Sequence, residues 1–322
     1  MSRGLTVVGH CSIDDIHYAG GRELLETMGG AAAYATLGAA LVGGDVTLVT
    51  VVGEDYPLDK LRSGLATGSA VVDTTHCRVV DGHSIHYDAW YAPDGGRRFE
   101  VESWELVERL TPTAADLPLD TIAGGIVLLA PASVRQQEAL VDALGDVDCR
   151  IALDTEVHYL TDESLRRRLL VLASRVDVFL PSIEHLQLLF ESSSDAVLDY
   201  APQLRELGCG TVVVKAGSRG SAVLDLDART VLSVPALDVD LVDSTGAGDG
   251  YGGGLLSGLT QGLGLSEAAC WATVAASFVV EAVGASVPTH FGPELASERF
   301  DRVAARIESF PLPADDLRGA AT

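Results

Sequence analysis

Asp243-Ser244-Thr245-Gly246-Ala247-Gly248-Asp249 is the stretch on which the reading of this chain turns. It follows β-like sequence, leads into a helical stretch whose first turns carry small residues, and places two acids around a glycine turn. Successive backbone N–H groups at such a turn, with the positive end of a helix behind them, form an anion site that can stabilise charge on a transferring phosphoryl group. Gly246, Ala247 and Gly248 supply that turn, and the glycines let backbone approach a phosphate without a Cβ clash. Asp249, at the edge of the site, can take the proton from a hydroxyl as it attacks a γ-phosphoryl group. Taken alone, Asp249 reads as an aspartate capping a helix start. The full seven-residue string changes that reading.

Outward from this string, β-branched runs alternate with alanine- and leucine-rich helical stretches along the whole chain. That pattern predicts a doubly wound α/β fold, a mostly parallel sheet with helices on both faces. Strands are expected at Leu5–Val8, Val46–Val52, Ile126–Leu129, Ile151–Leu153, Val176–Leu180 and Thr211–Val214, and a helix at Ala31–Val42. Each strand is short and nearly all apolar, as burial on both faces requires. Residues 11–28 and 83–101 break the rhythm, and the second flanks Pro93-Asp94-Gly95-Gly96 as a β-hairpin would. Together they predict a small antiparallel flap, or lid, over the carboxyl ends of the sheet, where open α/β sheets bind ligands. One domain is expected over residues 1–310, with a long helical region after Gly250 ending near Ala282 and a frayed tail from Pro311 to Thr322.

Composition limits the partners. A formal charge of −24 argues against nonspecific binding to nucleic acid or anionic membranes, so any phosphate must be held locally. Lysine occurs only as Lys60 and Lys215, which makes Lys215, in Lys215-Ala216-Gly217-Ser218-Arg219-Gly220, conspicuous. The five cysteines are scattered without metal-ligand or disulfide spacing, as expected of buried thiols in a reducing cytosol. No signal peptide or membrane-spanning apolar run is present, and the reading is a cytoplasmic protein.

The string at 243–249 resembles the C-terminal signature of the ribokinase-like (PfkB) carbohydrate kinase family, D-T-x-G-A-G-D, with Ser244 at the second place. Gly29-Gly30-Ala31-Ala32-Ala33-Tyr34-Ala35-Thr36-Leu37-Gly38, running on to Val52-Gly53-Glu54-Asp55, is similar to its N-terminal signature, so the resemblance covers residues 5 to 310. It implies an ATP- and Mg2+-dependent kinase acting on a small sugar, with a nucleoside or myo-inositol as alternative acceptors. It implies that Asp249 is the base, that Asp14 and Gly29-Gly30 hold substrate, and that Lys215, Gly217 and Gly220 lie beside the nucleotide phosphates with Asp243 and Thr245. Lys215 reads either as a partner of phosphate or as a solvated strand-end lysine, and Arg97 either as a lid residue approaching substrate or as an exposed turn arginine. The family also implies a monovalent cation, K+, bound by backbone carbonyls near Asp243 and the Gly284 loop. The flap reads either as pairing with its twin by strand addition, which would make a homodimer through the lid, or as too short to do so.

The sequence departs from the family pattern at three places. Where relatives carry P-N-x-x-E to organise magnesium, this chain reads Pro181-Ser182-Ile183-Glu184-His185, which leaves Glu184, one residue early, as the candidate acid for Mg2+ held through water. Tyr34 stands where sugar kinases have a substrate-binding asparagine and offers stacking or bulk instead. The usual G-E opening reads Gly9-His10. Gly248-Asp249-Gly250-Tyr251-Gly252-Gly253 satisfies the dinucleotide pattern G-x-G-x-x-G, but a Rossmann unit needs a following strand where helix is expected. No P-loop motif occurs. A noncatalytic sugar- or nucleotide-sensing protein on the same fold is the reading from a different class; it predicts loss of Asp249 or of the glycine turn, and both are intact.

Overall fold

Short apolar runs separated by amphipathic or small-residue helices fold here as the alternation predicts. A computed structural model of the chain describes residues 4–67, 70–92 and 97–313, with the Arg97 side chain left out. In chain order the strands are β1 (Leu5–Val8), β2 (Ser12–Tyr18), β3 (Glu23–Gly29), β4 (Val46–Gly53), β5 (Val72–Asp73), β6 (Cys77–Val80), β7 (Ile85–Tyr91), β8 (Arg97–Val101), β9 (Ile126–Leu129), β10 (Arg150–Leu153), β11 (Val178–Phe179), β12 (Thr211–Lys215), β13 (Ser221–Asp225), β14 (Thr230–Val234) and β15 (Glu308–Pro311). The helices are α1 (Ala31–Leu41), α2 (Leu58–Gly64), α3 (Trp104–Leu110), α4 (Val134–Leu144), α5 (Glu163–Ala173), α6 (Ile183–Leu189), α7 (Ala201–Glu206), α8 (Ala247–Thr260), α9 (Leu265–Val279) and α10 (Pro293–Ala304).

The main sheet runs β15-β14-β13-β12-β11-β10-β9-β1-β4-β5, with β6 also paired to β4. From β5 to β12 all pairings are parallel, and from β12 to β15 they are antiparallel. β1 sits between β4 and β9, so the chain winds outward in both directions from β1 and opens a crevice at the carboxyl ends there. One apolar core packs α1, α8, α9 and α10 on one face of the sheet, and a second packs α4 to α7 on the other.

The helix pair α1 and α8 explains the run of glycines after Asp249. A Cβ on Gly253 would lie 1.8 Å from the Ala35 carbonyl oxygen, and one on Gly38 2.0 Å from that of Gly250. Backbones this close leave no room for side chains, so the match to the dinucleotide pattern reflects helix packing. Ser257 Oγ adds a hydrogen bond to the Ala39 carbonyl at 3.2 Å.

The sequence reading needs correcting at four points. The single helix expected to reach Ala282 is two, because Gly262, at φ +84°, closes α8 in a left-handed cap, with Leu263 N–H donating to Gly258 O and Gly262 N–H to Leu259 O. The flap sheet, β3-β2-β7-β8, is mixed: its outer pairs are antiparallel but β2 and β7 run parallel. Both central strands rise from the same edge of the main sheet, so they leave it in the same direction. The chain does not fray at Pro311, since β15 covers the edge of β14 and Leu312 is buried. The strand expected over Val176–Leu180 is confined to Val178–Phe179. Residues 93–96 and 314–322, read as a turn and a tail, lie outside the described residues. Among the described residues no helix is long and apolar enough to cross a membrane.

Adding one methyl group where α1 and α8 touch should be costly. Gly253→Ala is expected to lower the unfolding free energy in urea by about 3 kcal/mol, the upper part of the usual range for overpacking. An unchanged denaturation midpoint would show that the helices can part without cost.

Candidate active site

The carboxyl ends of β1, β10 and β12, the start of α8 and the inner face of the flap sheet converge on one region. At its centre is the turn before α8. Gly246 takes φ +75° and lies against the ring of Tyr34, where a Cβ would come 2.1 Å from Cγ, so both its conformation and its position require glycine. The α8 first turn then begins at Ala247, with Gly248 and Asp249 following, where backbone N–H groups lack intrahelical partners. Asp249 is half-buried. Its carboxyl group is raised well above the usual range, first by burial and then by the negative charge of Asp154, against which Lys215 works in the opposite direction.

Asp154 and Lys215 form the strongest charged contact in this region. Lys215, at the end of β12, donates from Nζ to both oxygens of Asp154, at 2.8 and 2.6 Å, and Asp154, just past β10, is 2% exposed. The Asp154 Oδ1 also accepts the Thr155 N–H, and Gln137 Nε2 donates to the Asp154 carbonyl. A Cβ on Gly248 would lie 3.5 Å from Lys215 Nζ, so the ammonium stands beside the glycine turn. Lys215 is therefore neither solvated nor loose. Gly217 and Gly220 follow it and line a cavity of about 420 Å³ with Ser221, the 236–241 segment, Ala247, Gly248, Tyr251 and the α9 residues Thr273, Ala276 and Ser277. Tyr251 and Ser221 hydroxyls share a hydrogen bond of 2.7 Å across this cavity's wall.

Asp243 and Thr245 are not in that cavity. Asp243 is buried, and its Oδ1 accepts from Tyr91 Oη at 2.7 Å and from the Thr245 N–H at 2.8 Å; Tyr91 Oη also meets Thr245 Oγ1 at 2.9 Å. The Oδ2 of Asp243 is buried with no hydrogen-bond partner among the described residues. Tyr91, which sequence reasoning missed, thus joins the flap to the turn.

Asp14 projects from β2, buried, with Ser12 Oγ donating to its Oδ1 at 2.6 Å. Burial, then the charge of Asp243, pushes its carboxyl group up to about 7, against the Ser12 hydrogen bond. The missing Cβ of Gly29 leaves the space that the Asp14 carboxylate fills, 1.9 Å from where it would sit, and a Cβ on Gly30 would meet the backbone of residues 10–12. The two glycines therefore make room for Asp14 and its strand. Tyr34 is 3% exposed, with its phenol pushed well above the ordinary range by burial first and then by Asp14, Asp243, Tyr91 and Asp249, which places these groups around it. Its bulk supports the glycine turn from below. Arg97 pairs with Tyr91 across the flap hairpin, and its side chain lies outside the described residues.

Glu184 is exposed on the first turn of α6 and makes no hydrogen bond or ion pair among the described residues. Beside it, Ser182 and His185 form a reciprocal cap: His185 N–H donates to Ser182 Oγ, and Ser182 N–H donates to His185 Nδ1 at 2.8 Å. Among the described residues no cluster of three or more His, Cys, Asp or Glu side chains can hold a metal alone. Asp154 was also missed by sequence reasoning. Its only signal was an acid closing the buried strand sequence Ile151-Ala152-Leu153 at the sheet's carboxyl edge.

A family model described as pfkB family carbohydrate kinase matches residues 2–291. The cytidine kinase of Thermococcus kodakarensis is 32% identical over 266 residues, 82% of this chain and 91% of that protein. The inositol 3-kinase of Arabidopsis thaliana is 25% identical over 287 residues, 88% of this chain and 75% of that protein. Among solved structures, Arabidopsis thaliana ribokinase complexed with ribose and ATP superposes with a TM-score of 0.73 at 20% identity, covering 93% of this chain and 99% of that one. Vibrio cholerae fructokinase bound to fructose, ADP and calcium gives 0.74 at 20% identity, covering 93% and 100%. With its signatures, its sheet order and this match running over nearly its whole length, the chain belongs to the pfkB family of carbohydrate kinases.

Proposed function

We propose that the chain moves the γ-phosphoryl group of ATP to a hydroxyl of a small polyhydroxylated acceptor, a sugar in the first reading, with Asp249 as the base. The observation that carries this is the position of Asp249: it opens α8 between the cavity lined by Lys215, Gly217 and Gly220 and the flap that bears Asp14.

The cavity suits the nucleotide. Its walls are mostly apolar, from Leu237, Val239, Ala276 and Val280, and its inner end is closed by Gly248 and Lys215, so a base can be covered while phosphates reach the turn. On the other side, Asp14 would hold acceptor hydroxyls. The acceptor oxygen forms a bond to the γ-phosphorus as the bond from that phosphorus to the β–γ bridging oxygen breaks; the proton passes to Asp249, and ADP leaves. Lys215, steered by Asp154, and the N–H group of Gly248 would offset the charge on the transferring group.

Mg2+ would supply charge neutralisation on the phosphates. It takes most of its ligands from phosphate and water and needs only one or two carboxylates, which fits a region where Asp154, Glu156 and Glu184 place negative charge around His185 and Glu184 would act through water. The buried, unpartnered Oδ2 of Asp243 suits K+ nearby.

A nucleoside acceptor is the second reading, favoured by one feature. Tyr87 stands in register beside Asp14 and neighbours Tyr159, whose ring lies 4.3 Å from that of His158, so aromatic faces border the place where an acceptor would sit. The similarity to a cytidine kinase points the same way.

Asp249→Asn is expected to lower turnover by about 10²–10⁴-fold while nucleotide affinity stays near wild type, read by ATP consumption with Mg2+ against sugars, inositols and nucleosides. Near-wild-type turnover on any acceptor would remove Asp249 from the base role.

The pH profile gives a second test. The base must be ionised, so kcat/KM should fall as pH drops through the raised pKa of Asp249. Asp154→Asn removes the like charge that raises it and should move this acid limb to lower pH. An acid limb that stays in place would show that Asp154 does not set the state of the base.

A further inference from the structure

The Tyr91 side chain joins the inner face of the flap sheet to the phosphate turn. In register, Asp14, Ile16 and Tyr18 of β2 lie beside Tyr87, Ala89 and Tyr91 of β7. Ile16 and Ala89, at the middle of this face, are 3% and 2% exposed, and Tyr18, Tyr87 and Tyr91 are half-buried. At the tip of the strand, Tyr91 stacks on Tyr18 with ring centroids 5.3 Å apart, and the Ala19 N–H donates to the Tyr91 carbonyl at 2.9 Å. Its ring is thus held firmly within the flap. Its hydroxyl belongs to the other body, bonded to Asp243 Oδ1 at 2.7 Å and to Thr245 Oγ1 at 2.9 Å.

We propose that Tyr91 is a positioning residue that makes the flap and the phosphate turn move as one, so that an acceptor seated on Asp14 sets the backbone of residues 243–249 for transfer. The inference rests on the kinase reading for its catalytic consequence, but the mechanical coupling does not. Asp14 and Tyr91 are carried by adjacent strands, four residues apart along β7 from the register partner of Asp14, so an acceptor that fixes Asp14 also fixes the strand tip. From there the restraint passes through a carboxylate. Asp243 Oδ1 accepts both the Tyr91 hydroxyl and the Thr245 N–H, one residue before Gly246. Because Gly246 alone among the turn residues has a left-handed φ, the path of the chain into α8 is set there, and a rotation of Asp243 or Thr245 would re-aim the amides that follow. Hydrogen bonds to a buried carboxylate are among the stronger ones available for such a link. The outer face is tied to the body near the base of β7, where His86 Nε2 meets Asp55 Oδ2 at 3.1 Å, and not at the strand tip among the described residues. It carries charged and polar groups such as His17, Asp88 and Arg98, which pair among themselves or with neighbours on the same sheet.

The test uses Tyr91→Phe, which keeps the ring and removes the hydroxyl. Hydrogen exchange of the unliganded protein should be about 10-fold faster for amides in 243–249 and in 85–91, with 126–129 in β9 unchanged. With an acceptor that wild type phosphorylates, kcat should fall about 10-fold or more with the KM for ATP little changed. Thr245→Val provides the second variant: combined with Tyr91→Phe it should add less than its own separate effect, because both act through one link. Unaltered exchange in 243–249, or fully additive effects on exchange, would overturn the proposal. If no acceptor is turned over by wild type, the kinase reading fails while the exchange experiment still decides the coupling.

Discussion

The site depends on how closely α1 and α8 approach. Their contact is backbone against backbone, and the missing side chains of Gly38 and Gly253 leave the space for it. α1 starts directly from β3 through Gly30, and α8 starts directly from the phosphate turn through Gly246. Holding the two helices together therefore brings their N-terminal ends, and the segments before them, to one place. Tyr34, in the first turns of α1, lies under Gly246 as a consequence. A looser helix pair would leave Asp14 and Asp249 on separate parts of the protein, each with sensible local structure and no shared function.

Charge is arranged there against the grain of the whole chain. In a protein with a formal charge of −24, the carboxylates Asp14, Asp154, Asp243 and Asp249 gather around one turn, and a single lysine answers them. Such crowding would be unstable with all groups ionised in a dry interior, and two of these acids have raised pKa values, Asp14 by burial and then Asp243, Asp249 by burial and then Asp154. The same crowding makes the region receptive to cations and to the N–H groups and ammonium that a phosphate would use. The flap adds to it by excluding solvent through Ile16 and Ala89, which strengthens every charge interaction beneath.

How much of this could be read in the chain depends on the range over which each feature is encoded. The strands Leu5–Val8 and Ile126–Leu129 and helix α1 were legible because burial on both faces or all around leaves an uninterrupted apolar or small-residue run. Asp249 and the glycine turn were legible because one local string contains the turn, the helix start and the acid. Asp154 was not, since an acid after a strand has many uses and its partner Lys215 is distant in sequence. Tyr91 was hidden for the same reason: its ring fits an alternating strand, while its hydroxyl serves a residue 152 positions away. The parallel pairing of β2 with β7 escaped because a hairpin signal reports only neighbours along the chain. The strands β13 and β14 passed without notice, and the closing edge strand β15 was hidden by a proline and by its closeness to the end of the chain.

The altered segment after β11 shows how a departure in sequence can conserve one physical role and shift another. An acid at position 185 would be expected to cap α6 by accepting the Ser182 N–H and to supply negative charge for a metal. His185 keeps the first role, since its Nδ1 accepts that N–H while the Ser182 hydroxyl accepts in return. It gives up the second, because an imidazole is neutral or cationic and supplies no negative charge; burial and the nearby Lys215 lower its pKa and so favour the neutral ring. The negative charge has not left the region: Asp154, Glu156 and Glu184 all act on His185 from around it. Capping and charge, which one acid at position 185 could combine, are divided here among a histidine and three acids, and the acid whose charge acts most on Asp249 is the one that also holds Lys215. On the proposed reading, the residue that would organise the cationic side of a phosphate site in this chain is therefore Asp154, just past β10, rather than the segment that follows β11.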